Sequence, residues 1–239
     1  NARIDYGYAY SGDLNDRAAE WGYTSHSTYA QDEFYLTDDL KIVAGLRYDW
    51  ITTSDKPVEN AEFLAQNNYS NTANLDGISL LQPRIGLNYT LSDDTELRGG
   101  IGLFSGGNPN VWISNNYSNN GVTLFEYRVR GGNINDFTYP NSGNPFFEVP
   151  QEGIDAVANA SGRGPVNAVD PDFKLPSEWK FTLGTSFELN TGTFLGDGYN
   201  VNLDLLYSKT KEAAVIRNLE LVQTETAPDG RPIYSGAPF

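Results

Sequence analysis

The sequence predicts an all-β fold, an antiparallel transmembrane β-barrel. Three observations lead there: long runs of strict apolar–polar alternation, aromatic residues at both ends of the apolar faces, and short turns alternating with very long loops. The expected extent is one barrel fragment over residues 1–239, about seven strands of a barrel of roughly 22, with long extracellular loops at 53–78 and 105–175.

Two weak strands come first. Arg3 to Tyr10 alternates poorly, and Tyr23 to Leu36 is strand-like with mixed faces, so its register stays open. From Leu40 the even positions Leu40, Ile42, Ala44, Leu46, Tyr48 and Trp50 share one face, and Lys41, Gly45, Arg47 and Asp49 lie opposite, a period of two that marks a strand. Leu81 to Leu91 repeats the pattern, with Ile85, Leu87 and Tyr89 against Gln82, Arg84 and Asn88. Glu96 to Leu103 sets Leu97 and Ile101 against Glu96 and Arg98. Glu178 to Leu189 sets Trp179, Phe181, Leu183 and Phe187 against Glu178, Lys180 and Glu188. Tyr199 to Ser208 sets Val201, Leu203, Leu205 and Tyr207 against Asn200, Asn202 and Asp204. No charge falls on the apolar face of these five strands, while the other face carries Lys41, Arg47, Asp49, Arg84, Glu96, Arg98, Glu178, Lys180, Glu188 and Asp204. No segment before residue 150 reads as a helix, and Pro150 to Ala160 is expected to form two or three helical turns within a loop.

A soluble β-sandwich would also alternate. Strand length argues against it, since twelve residues tilted by ~45° rise about 28 Å, close to the ~25 Å apolar band of an outer membrane. Tyr48, Trp50, Trp179, Phe181 and Tyr207 stand at one end of the apolar faces and Tyr89, Phe187 and Tyr199 at the other, with aliphatic residues between. Such paired aromatic girdles belong to a membrane with two interfaces. Short connections at Thr37–Asp39, Ser92–Asp94 and Asn190–Gly198 alternate with connections of 26 residues (53–78) and 71 residues (105–175).

Composition excludes several chemistries. The chain has 239 residues, 16 basic and 31 acidic, a net charge of −15, no Cys, no Met and one His. Cys-ligated metals, disulfides and thiol catalysis are absent, and the acidic balance argues against nucleic acid as a partner. No cofactor, metal or catalytic residue is expected, and the chain is not expected to be an enzyme. His26 beside Ser25 and Ser27 suggests a barrel hydrolase only weakly, because no third partner is visible. The acidic pairs Asp38–Asp39 and Asp93–Asp94 and the segment Asp170-Pro171-Asp172 read as turn chemistry, since Ca²⁺ needs six to eight oxygens. Gly99 to Gly102 sits inside a strand with neither the helix nor the Lys of a phosphate loop. Asn68, Asn88, Asn116 and Asn159 begin Asn-X-Ser/Thr triplets that chance composition explains. In Val111 to Asn120, the residues Trp112, Asn115, Asn116 and Tyr117 are the candidate ligand contacts, able to stack on and hydrogen-bond a sugar or peptide; the alternative is a loop packed on itself. The lumen charges Arg47, Arg84, Arg98 and Lys180 are expected to pair with Glu96, Asp204 or a plug.

Particular segments resemble a known family. TYAQDEFYLTDDLKIVAGLRYDW (Thr28 to Trp50), with its YxQD element, short turn and GLRYD, is similar to paired barrel strands of TonB-dependent outer-membrane receptors. PRIGLNY (Pro83 to Tyr89), LRGGIGLF (Leu97 to Phe104) and NPNVWISNNYSNNGV (Asn108 to Val122) resemble the Oar-like branch, and VDPDFKLPSEWKFTLGTSFEL (Val169 to Leu189) resembles the strand that follows the long loop. The resemblance covers most of Thr28 to Tyr207. It implies energy-coupled uptake of an extracellular ligand across the outer membrane of a Gram-negative bacterium. It also implies partners: outer-membrane lipid, an N-terminal plug, and a TonB-type energy transducer that engages a short N-terminal box. Neither plug nor box matches any position here, so with seven strands and no initiating Met the chain is expected to be an internal slice. A surface adhesion or assembly protein on the same barrel is the alternative.

Overall fold

The structure, a computed structural model, describes residues 2–9, 15, 18–159, 164–194 and 196–236. Asn1, Tyr10, Ala160 and Phe239, which bound segments of the sequence reading, lie outside the described residues. The wall is a six-stranded antiparallel sheet in the order β2 (Thr24–Thr37), β3 (Leu40–Thr52), β4 (Ser79–Ser92), β5 (Thr95–Ser105), β7 (Ser177–Leu189) and β8 (Tyr199–Glu212). Each connection follows the shortest path to its neighbour. Two-residue turns join β2 to β3 and β4 to β5, the 190–198 turn joins β7 to β8, and the long connections lie at the other end. The strands have 11 to 14 residues, and the five with clear alternation run one to four residues longer than their alternating stretches.

The register keeps the apolar face intact across the sheet. Ala44 lies opposite Ile85, Ile85 opposite Ile101, Ile101 opposite Phe181, and Phe181 opposite Tyr207. This face is the exposed one: Leu183 is 52% and Leu203 58% exposed. A sandwich would bury it against a second sheet, and here the burial lies elsewhere. The register of β2 is also settled. His26 pairs with Trp50, Thr28 with Tyr48 and Phe34 with Ile42, which puts His26, Thr28, Ala30, Asp32 and Phe34 outward and Ser25, Ser27, Tyr29, Gln31 and Glu33 toward the lumen.

Two expectations are corrected. The segment from Arg3 onward is not a wall strand. As β1 (Ala2–Ala9) it pairs antiparallel with β6 (Leu124–Gly132) inside the long connection, from Ala2 opposite Gly132 to Ala9 opposite Leu124. Poor alternation is consistent with a strand outside the membrane, where no lipid selects one face. The sheet therefore has six strands rather than seven. Helices do occur before residue 150: α1 (Ala61–Asn67) and α2 (Asn110–Ser118). Asn60 caps α1, its side-chain oxygen accepting the Phe63 N–H at 2.9 Å. α2 is rich in Asn, a poor helix former. It is held by burying Ile113, Asn116 and Tyr117, which recur at the i, i+3, i+4 spacing of one helical face. The expected helix after Pro150 is present as α3 (Gln151–Asn159). A hairpin of β9 (Leu221–Thr226) and β10 (Pro232–Gly236) follows β8 and was not expected.

The main core lies in the loop layer at the long-connection end. Leu75, Ile113, Tyr117, Val169 and Leu175 from the loops cluster with Ile51, Leu80 and Leu103 from the strand ends, and Trp21 stacks on Tyr117 at 4.8 Å. Buried asparagines tie the layer together. The Asn60 amide donates to the Asn120 carbonyl at 3.1 Å, Asn71 donates to the Val58 carbonyl at 2.9 Å, and the Asn120 side chain accepts the Val122 and Thr123 N–H groups. Side-chain amides serve here because irregular backbone leaves N–H and C=O groups that must be matched when buried.

Candidate functional site on the lumen wall and outer loops

The outward face is organised as a sloping band. Tyr48 and Trp50 mark the upper girdle on β3, and Tyr207 marks it on β8. Tyr207 falls in the row of Ala44, so four strand steps move the girdle four residues along the register. The lower girdle moves in step. Phe34 on β2 lies in the row of Ile42, while Phe187 on β7 lies two residues past Thr185, which shares the row of Leu97, Tyr89 and Leu40. A drift of about one residue per strand, at ~3.4 Å rise and ~4.8 Å strand spacing, tilts the strands by about 35° to the membrane normal. That is the tilt of outer-membrane barrels. Tyr199 to Tyr207 then spans about 22 Å of depth, close to the ~25 Å apolar band. His26 belongs to this face: its ring stacks on Trp50 at 4.9 Å and its Nε2 lies 3.0 Å from the Thr52 hydroxyl. Ser27 points the other way and donates to Asp49, so the structure does not bring His26 and that serine together.

The opposite face carries a polar network. Arg47 Nε donates to Asp49 at 2.8 Å and its Nη2 to the Ser27 hydroxyl at 2.9 Å; Ser27 donates to Asp49 at 2.7 Å. Gln82, buried, donates its amide to Asp49 at 2.6 Å and accepts the Ser105 N–H at 3.0 Å, which links three wall strands. Further along, Arg98 donates two Nη2 bonds to Asp204, at 2.9 and 3.1 Å, and a third from Nε at 3.2 Å. Lys180 pairs with Glu178 at 2.9 Å. Arg98 thus finds the expected Asp204, whereas Glu96 is not the partner of any of the four cations among the described residues. Arg84 lies over the Phe104 ring, 5.3 Å from its centroid.

Glycines make these contacts possible; the sequence reading expects Gly99 to Gly102 to relieve crowding or admit a plug, and gives no such role to Gly45 or Gly184. Gly184 sits between Arg98 and Asp204 in the register, and a Cβ there would collide with the Asp204 carboxylate. The bridge therefore reaches from β5 to β8 across a bare strand. The signal was present in the sequence, since Gly45, Gly86, Gly100, Gly102 and Gly184 all fall on the charged face, but reading it needs the strand register. Arg47, Asp49, Gln82, Arg84, Phe104 and Ser105 line an open cavity of about 380 Å³, with Asn108 and Leu175 lining it from the loops.

The four candidate contacts of the outer loop are split by the structure. Asn116 and Tyr117 are 1% and 6% exposed and are committed inward, Asn116 donating to the Ala73 carbonyl and Tyr117 to the Asp55 carbonyl, both at 2.9 Å. Burial, and next the Asp55 charge, push the Tyr117 phenol up. Asn115 is half-buried and accepts the Asn119 N–H, closing the helix. Trp112 is 48% exposed. Asn116 and Tyr117 are thus packing groups, and Trp112 is the one large side chain of the four presented to solvent. In the same layer the Asn141–Ser142 turn closes around Glu148, whose carboxylate accepts both backbone N–H groups at 2.7 and 2.6 Å. Desolvation raises the Glu148 pKa, and the bonds from Ser142 and Asn141 outweigh it, holding the group at about 2. Asp170 accepts the Asp172 N–H at 2.8 Å, a turn contact. No group of three or more His, Cys, Asp or Glu among the described residues is placed to hold a metal.

Residues 2–205 match the outer membrane beta barrel domain family. The chain belongs to this family. No curated protein and no solved structure matches it. The outer-membrane barrel domain therefore lies in the outer membrane of a Gram-negative bacterium, with β2 to β5, β7 and β8 as transmembrane strands.

Proposed function

We propose that this wall belongs to a TonB-dependent receptor of the Oar-like type, taking up a ligand with energy supplied through a TonB-type partner and a plug inside the barrel. The observation that carries the reading is the lumen face. A wall with this density of charge and a folded loop layer over its outer end suits a wide barrel whose interior is filled by protein and water. The resemblance of Thr28 to Trp50 and of Leu80 to Val122 to such receptors supports it. The test is the full reading frame. It is expected to code a plug of roughly 120–150 residues before Asn1, within the usual domain range. A reading frame without one overturns the uptake reading.

Adhesion on the same barrel is the second reading, supported by Phe146 and Phe147, adjacent and both exposed beside the Glu148 turn. Changing both to Ser should abolish cell attachment if adhesion is the function; unchanged attachment overturns it.

A further inference from the structure

We propose that Arg84, laid across the lumen wall against Phe104, is a receiving site for a carboxylate. The site rests on this face lining the barrel interior and does not depend on energy-coupled uptake.

Charge accounting around the cavity points to Arg84. Arg47 is neutralised by Asp49, Arg98 by Asp204 and Lys180 by Glu178. Among the described residues Arg84 has no carboxylate partner; its contact is the Phe104 ring, which Lys180 also approaches, at 5.6 Å from the centroid. Asp49 and Gln82, which also line the cavity, are occupied. Asp49 takes bonds from Arg47, Ser27 and Gln82, and Gln82 uses its amide on Asp49 and its carbonyl on Ser105. One positive charge therefore remains unmatched in a half-buried wall, where a charge favours a counter-charge.

The position is built. Gly45 on β3 and Gly102 on β5 flank Arg84 in register. A Cβ at position 45 would come 3.0 Å from Arg84 Cγ, and one at position 102 would come 2.8 Å from the Phe104 ring and 3.2 Å from Arg84 Cβ. Side chains there would push Arg84 and Phe104 off the wall. The aromatic ring restrains the guanidinium by cation–π contact, which lowers the ordering cost of binding.

A planar guanidinium matches the two oxygens of a carboxylate as a fork. A phosphate's second charge would call for a second free cation, and Lys180 is already committed to Glu178. The cavity of about 380 Å³ lies at the small end of ligand pockets. It suits a compact organic carboxylate or the end of an acidic side chain.

The carboxylate can come from a free solute or from an Asp or Glu of polypeptide inside the lumen. Carbodiimide coupling of the full-length Arg84→Lys variant in detergent, with and without millimolar benzoate, separates the two by peptide mass spectrometry. Benzoylation at position 84 well above that at the exposed Lys174 supports the free source, and benzoylation no greater than at Lys174 excludes it. An amide to an acidic residue outside the wall, formed without benzoate, supports the resident source. The Lys180–Glu178 amide in the same sample shows that reagent reached the lumen. If that control forms and position 84 couples to nothing, or only to Asp49, to Glu178 or, no more than Lys174 does, to benzoate, the proposal is overturned. A reading frame without a plug would sink the uptake reading and leave the benzoate arm standing.

Discussion

Valine at Gly184 would test whether lumen glycines let charges meet across a strand. A Cβ at this position would overlap the Asp204 carboxylate and come within 2.8 Å of Arg98 Nε, so the two side chains would have to part. The Arg98 and Asp204 side chains are 35% and 66% exposed, and solvent screening limits their bridge to about 0.5–1 kcal/mol. Removing a glycine from a strand interior returns about 0.5–1 kcal/mol. The two effects nearly cancel, so the single variant should sit close to the parent in stability. The informative quantity is the difference between Gly184→Val in the native background and in Asp204→Asn, where there is no bridge to break. The valine should be more favourable in Asp204→Asn by about 0.5–1 kcal/mol. Urea titration of the full-length protein in lipid vesicles, followed by Trp fluorescence, measures it. Equal effects in both backgrounds, within ~0.3 kcal/mol, would refute the reasoning.

Further outcomes follow from the same geometry. Leu183→Arg places a charge on the lipid side and should cost about 2–4 kcal/mol in vesicle refolding, whereas Thr182→Arg on the lumen side should cost less than 1 kcal/mol; equal costs would mean the faces are misassigned. Asn60→Ala removes the α1 cap and the donor to the Asn120 carbonyl, and should cost about 2–3 kcal/mol in the same urea assay; a loss under ~0.5 kcal/mol would contradict its buried role. Glu148 has a folded pKa of about 2, below its ordinary value of 4.5. Its contribution to the Asn141–Glu148 turn is therefore complete above about pH 4.5 and is lost as pH falls through about 2. Carboxyl NMR of labelled full-length protein should show that midpoint, and titration near 4.5 would show the turn does not hold the group.

The wall was legible because lipid imposes one rule on every spanning strand, apolar out, and period two carries that rule in the sequence. Strand β2 obeys it less cleanly, with Asp32 outward and Tyr29 and Tyr35 inward, so its register emerged only through pairing with β3. Outside the membrane no such rule holds. The partner of β1 lies more than 110 residues away in β6, a pairing no local pattern encodes. α2 was hidden because its asparagines are helix-poor and its burial comes from loops folded over it. The lumen cations were found by alternation, and Asp204 as the partner of Arg98 with them, but Asp49 and Glu178 were not named as partners, and Gly184 and Gly102 acquire meaning only once the strand register places them beside the charges.

The slope of the girdles has a consequence for the barrel interior. Residues in one hydrogen-bonded row do not share a depth. The row Gln31, Gly45, Arg84, Gly102, Lys180, Ser208 crosses five strand steps. At ~4.8 Å per step and about 35° of tilt it climbs about 14 Å toward the long-connection end, more than half the apolar thickness. The polar groups of this wall therefore form a ramp and not a collar. Along these six strands, polar side chains of one row therefore stand at successive heights.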